Sequence, residues 1–393
     1  MLQDVVIVSA TRTPIGKFGG SLKEIPAIKL GTLVTSAAIK KAGLKEEMID
    51  QVIFGNVLQA GLGQNPARQI ALNAHLPLTT TAMTINEVCG SGLKALILAV
   101  QSIRLGDSQV IVAGGCENMS LAPHLFNQRF GVKAGNVTMV DSLFHDGLTD
   151  AFSQESMGLT AEKVAQMYHI TREEQDNYAL QSQMRATQAQ TDGRFKEEIT
   201  PVAIPQRRSE DFIFQDDEFI RPTTTKESLA KLRPAFQKDG SVTAGNSSGI
   251  NDGAAAVVLM SRQKAEELGI EILATIENYA EVGIDPSIMG VSPIDAINSL
   301  LNKANKTIDD IDLFEINEAF AAQSVAVKNT LEIPDEKINV NGGAIALGHP
   351  IGASGARILV TLLHELIRQD KKTGIASLCI GGGLGVSILI TRE

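Results

Sequence analysis

The sequence predicts an α/β protein made of two related halves, and its strand–helix alternation is the first reason. In the first 120 or so residues, β-branched runs predict buried strands: VVIVSA, QVIFGN, TAMTIN and QVIVAGG. Residues 30–42 and 92–105 lie between these runs and have apolar side chains at helical spacing. Alternation of this kind implies βαβ crossovers and a parallel sheet that is covered on both faces.

A repeat within the chain is the second reason. The segments that begin TINEVCGSGLK and NVNGGAIALGHPIGASGAR each show a short strand ending in Asn, a glycine–serine helix start, a helix, and a strand ending in glycines. The helix starts lie at residues 90–92 and 352–355. Two such halves predict a ligand site between their strand ends.

A long insertion separates the βα-rich parts. Between residues 120 and 248 the regular pattern loosens, apart from a helix over 171–191 that begins with the capping box T-R-E-E. We therefore predict a first half over residues 1–268, with its core at 1–119 and 249–268. The inserted loop domain occupies 120–248, and the second half occupies 269–393.

Bulk properties narrow the class of protein. A net charge of −10 over 393 residues argues against a nucleic-acid partner or an anionic membrane surface. Three cysteines cannot all pair, which argues for a reducing compartment. The N-terminus resembles a first strand rather than a signal peptide, and the longest apolar stretch, around 95–100, is too short to span a bilayer. We expect a soluble cytoplasmic protein that binds no metal.

Cys89 is the first candidate for chemistry. It lies in V-C-G-S-G, at a turn from a strand into a helix. Backbone N–H groups and the helix dipole are expected to lower its pKa below the usual value of about 8.5 and to favour the reactive thiolate. The alternative is a buried cysteine that packs as a small hydrophobe.

The same segment also matches a dinucleotide-binding fingerprint. Gly90-Ser-Gly-Leu-Lys-Ala95 fits G-x-G-x-x-A, and the acidic Glu117 follows the next strand. The motif comes after the third strand rather than the first, however, and a cysteine occupies its turn. We therefore disfavour NAD binding.

Two further segments carry reactive side chains in glycine-rich surroundings. Cys379 ends a strand in C-I-G-G-G-L-G, whose N–H groups are suited to an oxyanion or simply form a tight bend. His349, in A-L-G-H-P-I-G-A-S-G, is a candidate general base or a solvated loop residue. Asn317 lies in F-E-I-N-E-A-F, where a helix begins after a strand. Considered in isolation, it is most simply interpreted as a helix N-cap. Cys116 is expected to be structural.

A groove for a phosphorylated ligand is predicted beside the insertion. Residues 244–256 are small and polar, which lets a ligand chain lie against the backbone. Upstream, four cations stand in an otherwise acidic protein: Arg221, Lys226, Lys231 and Arg233. They form either a phosphate-binding edge or a solvated helix face.

Taken together, the motifs V-C-G-S-G, N-E-A-F, G-H-P-x-G-x-S-G and C-x-G-G-G-x-G, in that order, resemble the thiolase family. The resemblance covers essentially the whole chain, from R-T-P-I-G-K-F-G-G to the last glycine loop. It implies the five-layered α-β-α-β-α fold of that family, formed by two βαβαβαββ halves with a loop domain inserted in the first.

The resemblance also implies a reaction. Cys89 would take an acyl group from an acyl-CoA while His349 removes its proton, and Cys379 would deprotonate a second acetyl-CoA. Asn317, through a water, and His349 would stabilise the enolate oxygen, and the N–H groups of Cys89 and Gly381 would hold the oxyanion. Coenzyme A and acetyl-CoA would be substrates, with no tightly bound cofactor. By the same resemblance, eight residues would contact the coenzyme or acyl group: Ser248, Phe236, Arg221, Ser228, Met157, Leu148, Ala319 and Phe320.

Within the family, chain length and D-G-L-T-D-A-F most resemble bacterial acetoacetyl-CoA thiolases, which join two acetyl-CoA molecules. A 3-ketoacyl-CoA thiolase of fatty-acid breakdown is the alternative, because Glu87 and Ser156 stand where Gln and His are frequent. An acyl-carrier-protein-dependent condensing enzyme would have a histidine at Cys379, and a non-catalytic relative would lack the intact set. Residues 122–140 resemble the family's tetramerisation loop, so a homotetramer is expected, as a dimer of dimers.

Overall fold

The computed structural model describes residues 3–207 and 209–393. The strands are β1 Val5–Arg12, β2 Gly16–Lys17, β3 Gln51–Gly55, β4 Thr81–Ile85, β5 Val110–Asn118, β6 His124–Leu125, β7 Val140–Asp141, β8 Val202–Ile204, β9 Phe212–Phe214, β10 Asn251–Ser261, β11 Ala274–Gly283, β12 Leu313–Ile316, β13 Thr373–Ile380 and β14 Leu384–Thr391. The α-helices are α1 Ala27–Lys41, α2 Pro66–Asn73, α3 Ser91–Leu105, α4 Met157–Met167, α5 Arg172–Thr191, α6 Lys226–Ala230, α7 Arg262–Leu268, α8 Ser292–Ala304, α9 Ala321–Thr330, α10 Ala344–Leu347 and α11 Ile351–Arg368.

The two halves repeat the same strand order. The first half runs β4-β3-β5-β10-β1 and the second runs β12-β13-β14-β11, with β1 and β11 paired where the halves meet. The counterpart of β4 in the second half is reduced to a single parallel bridge between Phe314 and Ile338. The prediction of a strand in N-V-N-G-G is therefore wrong, although the internal repeat itself is confirmed.

The prediction of a parallel sheet is only partly correct. β3 pairs in parallel with β4 and β5, and β12 pairs in parallel with β13. β10 and β14 run antiparallel to both of their sheet neighbours, because each half ends with a strand inserted between earlier ones. The sheet is therefore mixed, as the predicted βαβαβαββ order requires.

Helices α3 and α11 form the middle of five layers. Their apolar side chains pack in one cluster with inward-facing residues of both half-sheets, among them Ile7, Ile111, Leu378 and Ile388. Helices α1 and α2 cover the outer face of the first half-sheet. Helices α8 and α9 cover that of the second, which completes the α-β-α-β-α arrangement.

Two glycines bring the central helices into close contact at their N-termini. A Cβ on Gly92 would lie 2.7 Å from the backbone N of Ala356, and one on Gly355 would lie 2.3 Å from that of Leu93. The helix starts meet because these positions have no side chain. The residues that precede α3 and α11 are consequently brought together.

Within the part of the chain that the structure describes, one helical segment is long and apolar enough to cross a membrane by composition. It covers residues 88–105, so it is longer than the apolar stretch expected around 95–100, and it is 56% buried. Because it includes α3, which packs between α11 and both half-sheets, it is a core helix.

The insertion packs on the core through a buried ion network. Arg12 of β1 is fully buried and bonds Glu198 at 2.6 Å and Asp217 at 2.8 and 2.9 Å. The capping box that opens α5 at Thr171 is confirmed. The division at residues 268 and 269 stays a prediction.

Candidate active site

Cys89 occupies the turn between β4 and α3. Val88, just before it, has φ of +47°, a left-handed conformation that is uncommon for a β-branched residue. The half-buried side chain of Cys89 packs in a cluster that includes Val57, Leu58 and Ile351. The strained turn places the thiol in an apolar pocket rather than in solvent.

The expected low pKa of Cys89 is wrong for this site. Burial raises the pKa of the thiol to about 11, although the N–H groups of Gly381 and Cys89 itself act in the opposite direction. One of these donors lies in the turn before α3, as the sequence predicts, and the other lies in the turn after β13, but removal of water from the thiolate has the larger effect. Cys89 is therefore a neutral thiol at neutral pH and needs a base.

His349 is suited to be that base. Its Nδ1 lies 2.6 Å from Oγ of Ser354, and that hydroxyl donates to the carbonyl of Pro350 at 2.9 Å. The hydroxyl must then accept from Nδ1–H, which leaves Nε2 unprotonated. Burial, with a smaller effect from the Arg357 charge, lowers the pKa of His349 to about 3, so the imidazole is neutral.

Asn317 lies beside His349 and is not a helix N-cap. Four residues separate the end of β12 from α9, whose N-cap position is Phe320. The fully buried amide of Asn317 has Nδ2 3.5 Å from Nε2 of His349, and its Oδ1 has no hydrogen-bond partner among the described residues. An unpaired buried oxygen beside the imidazole is where a bridging water is expected.

Cys379 reaches the same place from β13. Burial and, to a smaller extent, the nearby Cys89 raise the pKa of its thiol. The backbone then turns through Gly382 and Gly383, with φ of +87° and +82°. This turn sets Gly381 against Met157 and Val88, because a Cβ on Gly381 would lie 3.5 Å from Sδ and 3.6 Å from Cγ1, respectively.

The side chains from both halves make acyl transfer possible. Two backbone N–H donors reach the thiol of Cys89, and a second thiol lies within electrostatic reach of it. The base, His349, lines a cavity together with Ile351, which packs in the same cluster as Cys89. A nucleophile, a base and an oxyanion-binding pair are the parts that covalent acyl transfer needs.

A cavity of about 500 Å³ opens onto His349. Seven of the residues proposed from the sequence line it: Leu148, Met157, Arg221, Phe236, Ser248, Phe320 and His349. The other two coenzyme contacts do not. Ser228 is exposed on α6 and donates to the carbonyl of Thr225, and Ala319 is buried beside Cys379.

Several lining residues were missed by sequence reasoning. They include Lys17, Phe18, Met119, Phe144, Phe219, Ser247 and Ile250. The motif R-T-P-I-G-K-F-G-G contains the first two. It lies near the N-terminus, far in sequence from the other lining residues, so nothing in the motif indicated that its side chains would face the cavity. Gly158 is needed here because a Cβ would fall 2.3 Å from the ring of Phe236.

The predicted positive edge separates into different roles. Arg221 lines the cavity and stacks on Phe219, with its guanidinium carbon 4.9 Å from the ring centre. Lys226 pairs with Glu173 at 3.0 Å, and Lys231 and Arg233 are exposed outside the cavity lining. Of these four cations, Arg221 is the one whose position in the cavity wall is compatible with binding a phosphate.

The structure also distinguishes between the alternative interpretations of Glu117 and Cys116, which both lie in β5. Glu117 is fully buried and accepts backbone N–H groups, so it has no exposed carboxylate for a ribose. Cys116 is buried in the outer core, where the structural role expected for it is confirmed.

Comparison with known proteins gives full-length matches. The family model described as "Thiolase, N-terminal domain" matches residues 5–263, and "Thiolase, C-terminal domain" matches residues 270–392. The chain is 56% identical to an acetyl-CoA acetyltransferase of Cupriavidus necator and 57% identical to one of Pseudomonas aeruginosa, in both cases over 100% of each chain. It is 55% identical to a "probable acetyl-CoA acyltransferase" of Staphylococcus aureus, over 99% of each chain.

Solved structures agree with this assignment of the fold. The acetyl-CoA acetyltransferase of Bacillus anthracis superposes with a TM-score of 0.98 at 46% identity, covering 100% of this chain and 99% of that one. Human mitochondrial 3-ketoacyl-CoA thiolase superposes with a TM-score of 0.96 at 44% identity and the same coverage.

Proposed function

The chain belongs to the thiolase family, and on this premise we propose that it is an acetyl-CoA acetyltransferase. It joins two acetyl-CoA molecules into acetoacetyl-CoA and free coenzyme A, and it also catalyses the reverse reaction. The observation that carries the proposal is that Cys89, His349 and Cys379 lie around one cavity. His349 lines it, Cys89 packs in a cluster with two of its lining residues, Leu148 and Ile351, and Cys379 packs in a cluster with two others, Met157 and Phe320.

In the first step the acetyl group moves to Cys89. Nε2 of His349 takes the Sγ proton as the sulfur attacks the acetyl carbonyl, because neither group is charged at rest. The N–H groups of Cys89 and Gly381 point at the sulfur and are placed to hold the oxyanion. As the C–S bond to coenzyme A breaks, the neutral thiol of Cys379 gives its proton to the leaving sulfur.

In the second step Cys379, now a thiolate, removes a proton from the methyl group of a second acetyl-CoA. The imidazolium of His349 and a water on Asn317 stabilise the enolate oxygen. The carbanion attacks acetyl-Cys89, and the released Cys89 sulfur takes its proton back from His349. Every group thus returns to its starting protonation state, and Cys379 has acted as acid and then as base.

The cavity supports coenzyme A as a substrate rather than a tightly bound cofactor. Its wall is mostly apolar, and Phe236 and Phe320 meet edge-on with ring centres 6.1 Å apart. Ser248 is fixed by a bond from its N–H to the carbonyl of Ala319 at 3.0 Å, which leaves its hydroxyl for the pantetheine chain. Arg221 at the rim suits a phosphate.

A 3-ketoacyl-CoA thiolase with broader chain length is the second candidate. The observation that favours it is Ser156, a small side chain in the cavity wall beside Met157. Thiolysis rates on acetoacetyl-CoA and on a long-chain 3-ketoacyl-CoA decide between the two. A clear preference for the long chain would exclude our first choice.

Incubation with acetyl-CoA is expected to add one acetyl group to the peptide that contains Cys89, since that thiol is the nucleophile. Intact-protein and peptide mass spectrometry measure this directly. Acetyl-CoA should also protect Cys89 from iodoacetamide, while Cys116 serves as an internal control that stays unlabelled because it is fully buried. Labelling of Cys116 before Cys89, or an adduct elsewhere, would contradict the mechanism.

Replacing Arg221 by alanine is expected to raise KM for acetyl-CoA about tenfold, because a charge-assisted phosphate contact is worth about 1.5 kcal/mol or more. The value of kcat should change little. Lys238→Ala, which removes an exposed cation outside the cavity, is the matched control. An equal effect of both variants would show that only overall charge matters.

We further propose a cytoplasmic homotetramer. Residues 122–140, which the pairing of β6 with β7 closes into a loop, carry exposed apolar side chains that include Phe130, Val137 and Met139. All three cysteines are free, as a reducing compartment requires. The mass in solution, by light scattering, tests the assembly.

A further inference from the structure

We propose that Glu117 is a positioning residue for this reaction, whose buried carboxylate holds together the two walls of the pocket around Cys89. The inference rests on the proposed function, because it concerns the same nucleophile. Glu117 does not line the cavity, and so it acts through its neighbours and not on the substrate.

The carboxylate of Glu117 joins the two halves of the protein. Oε1 accepts from Nδ2 of Asn56 at 2.9 Å and from the N–H of Leu58 at 3.2 Å. Oε2 accepts from the N–H of Val57 and the N–H of Gly352, both at 3.0 Å. The first three donors belong to the loop after β3 in the first half, and the fourth belongs to α11 in the second half.

The residues held in this way form the walls around Cys89. Val57 and Leu58 lie on one side of its side chain, and Ile351, directly before Gly352, lies in the same apolar cluster. His349 is only three residues before Gly352. One carboxylate therefore fixes the loop against which the nucleophile packs and the segment that carries its base.

The backbone around Glu117 leaves no room for another arrangement. A Cβ on Gly352 would lie 2.6 Å from Oε2 of Glu117, and one on Gly115 would lie 2.0 Å from the carbonyl oxygen of Gly352. The close approach of β5 and α11 thus depends on glycine at both positions, with the carboxylate bridging them.

Only an ionised carboxylate fits these partners. All four are N–H donors, so a protonated acid or an amide would set a donor against donors. Burial nevertheless raises the pKa of Glu117 to about 7, despite the opposing backbone hydrogen bonds. Because the acid must lose its proton to accept all four bonds, the walls are held above about pH 7 and loosen below it.

The other titratable groups that face Glu117 are few. Asp252 of β10 and Cys116 of β5 interact with its charge, and Cys89 does so across the pocket. Burial raises the pKa of Asp252 to about 6, and burial lowers that of His349 to about 3. The negative charge on Glu117 also raises the pKa of Cys89.

The test is the isosteric variant Glu117→Gln, with Glu365→Gln as the control for loss of a buried carboxylate far from the site. We expect kcat of Glu117→Gln to fall about tenfold to a hundredfold, because small displacements of reacting groups reduce rates by about this much. KM should change less than about threefold. The kcat of the unmodified enzyme should decline below about pH 7, and this decline should be absent from the variant. The control should keep both kcat and the pH profile.

Alkylation of Cys89 supplies a second readout that does not need acetyl-CoA. Removing the Glu117 charge is expected to lower the apparent pKa of Cys89, so iodoacetamide should react faster at pH 8 even as turnover falls. Cys116 should stay unlabelled, which shows that the fold is intact. Loss of structure alone would expose both cysteines.

Several outcomes would overturn the proposal. These are a kcat of Glu117→Gln within twofold of the unmodified enzyme, an acid limb that persists in the variant and so belongs to Asp252, or unchanged alkylation of Cys89. If the variant fails to fold, Asn56→Ala removes one of the four donors and should lower kcat in the same direction, and the acid limb of the unmodified enzyme is still measurable. If Cys89 accepts no acetyl group at all, the proposed function fails, whereas the alkylation result still stands for Glu117.

Discussion

Replacement of Cys89 by serine is expected to lower kcat by about 10⁴-fold or more and to abolish the acetyl adduct, since loss of a nucleophile has effects of this size. Serine is nearly isosteric with cysteine, so the turn at Val88 should be kept. The hydroxyl is much harder to deprotonate than the thiol, so His349 activates it far less readily. An oxygen ester would also be a poorer acetyl donor than a thioester in the second step.

The control for that experiment is Cys116→Ala, which also removes a thiol. Cys116 belongs to β5 and is buried in the outer core, away from the cavity. This variant should form the acetyl adduct at the normal rate, with a lower melting temperature at most. Turnover of Cys89→Ser within a hundredfold of the unmodified enzyme would show that another residue carries the acetyl group.

Replacement of Cys379 by alanine is expected to separate the two half-reactions. Turnover should fall by about 10³-fold to 10⁴-fold in both directions, because a general acid–base group is lost. The acetyl group should still appear on Cys89, more slowly, since the nucleophile, His349 and the two N–H donors remain. Accumulation of acetyl enzyme without condensation is the signature to measure.

That variant distinguishes the two cysteines by their roles. Stoichiometric acetylation is followed by mass spectrometry, and acetoacetyl-CoA by its absorbance. If Cys379→Ala loses acetylation and condensation equally, the loss of turnover arises in the first step, and the experiment gives no support to Cys379 as the base of the second. If it keeps normal turnover, the second base lies elsewhere.

Much of this protein is readable from the sequence because its signals are local. The capping box at Thr171, the β-branched strands and the glycines before α3 and α11 each specify a backbone conformation through neighbouring residues. The repeat of helix starts also predicted that the halves would be alike. The thiol, the imidazole and the second thiol were found because each lies in a motif with its own glycines.

Other features depend on which distant segments come into contact. The N–H groups that hold Glu117 are contributed by residues about 60 positions before it and 235 positions after it, and no local pattern marks such a partner. The same is true of Lys17 and Phe18 in the cavity wall. Ser228 stays a predicted coenzyme contact, and the structure adds that its hydroxyl donates to the carbonyl of Thr225 in the first turn of α6.

The sequence by itself determined the α/β class, the repeated halves and which side chains are candidates for the reaction, because periodicity and motif spacing are properties of the chain. Only the tertiary structure decided their protonation states. Whether a thiol ionises depends on how much water folding removes and which donors it brings near, and these contributions oppose each other at Cys89. The low pKa expected from its helix start was wrong for that reason, and it is burial that makes His349 necessary.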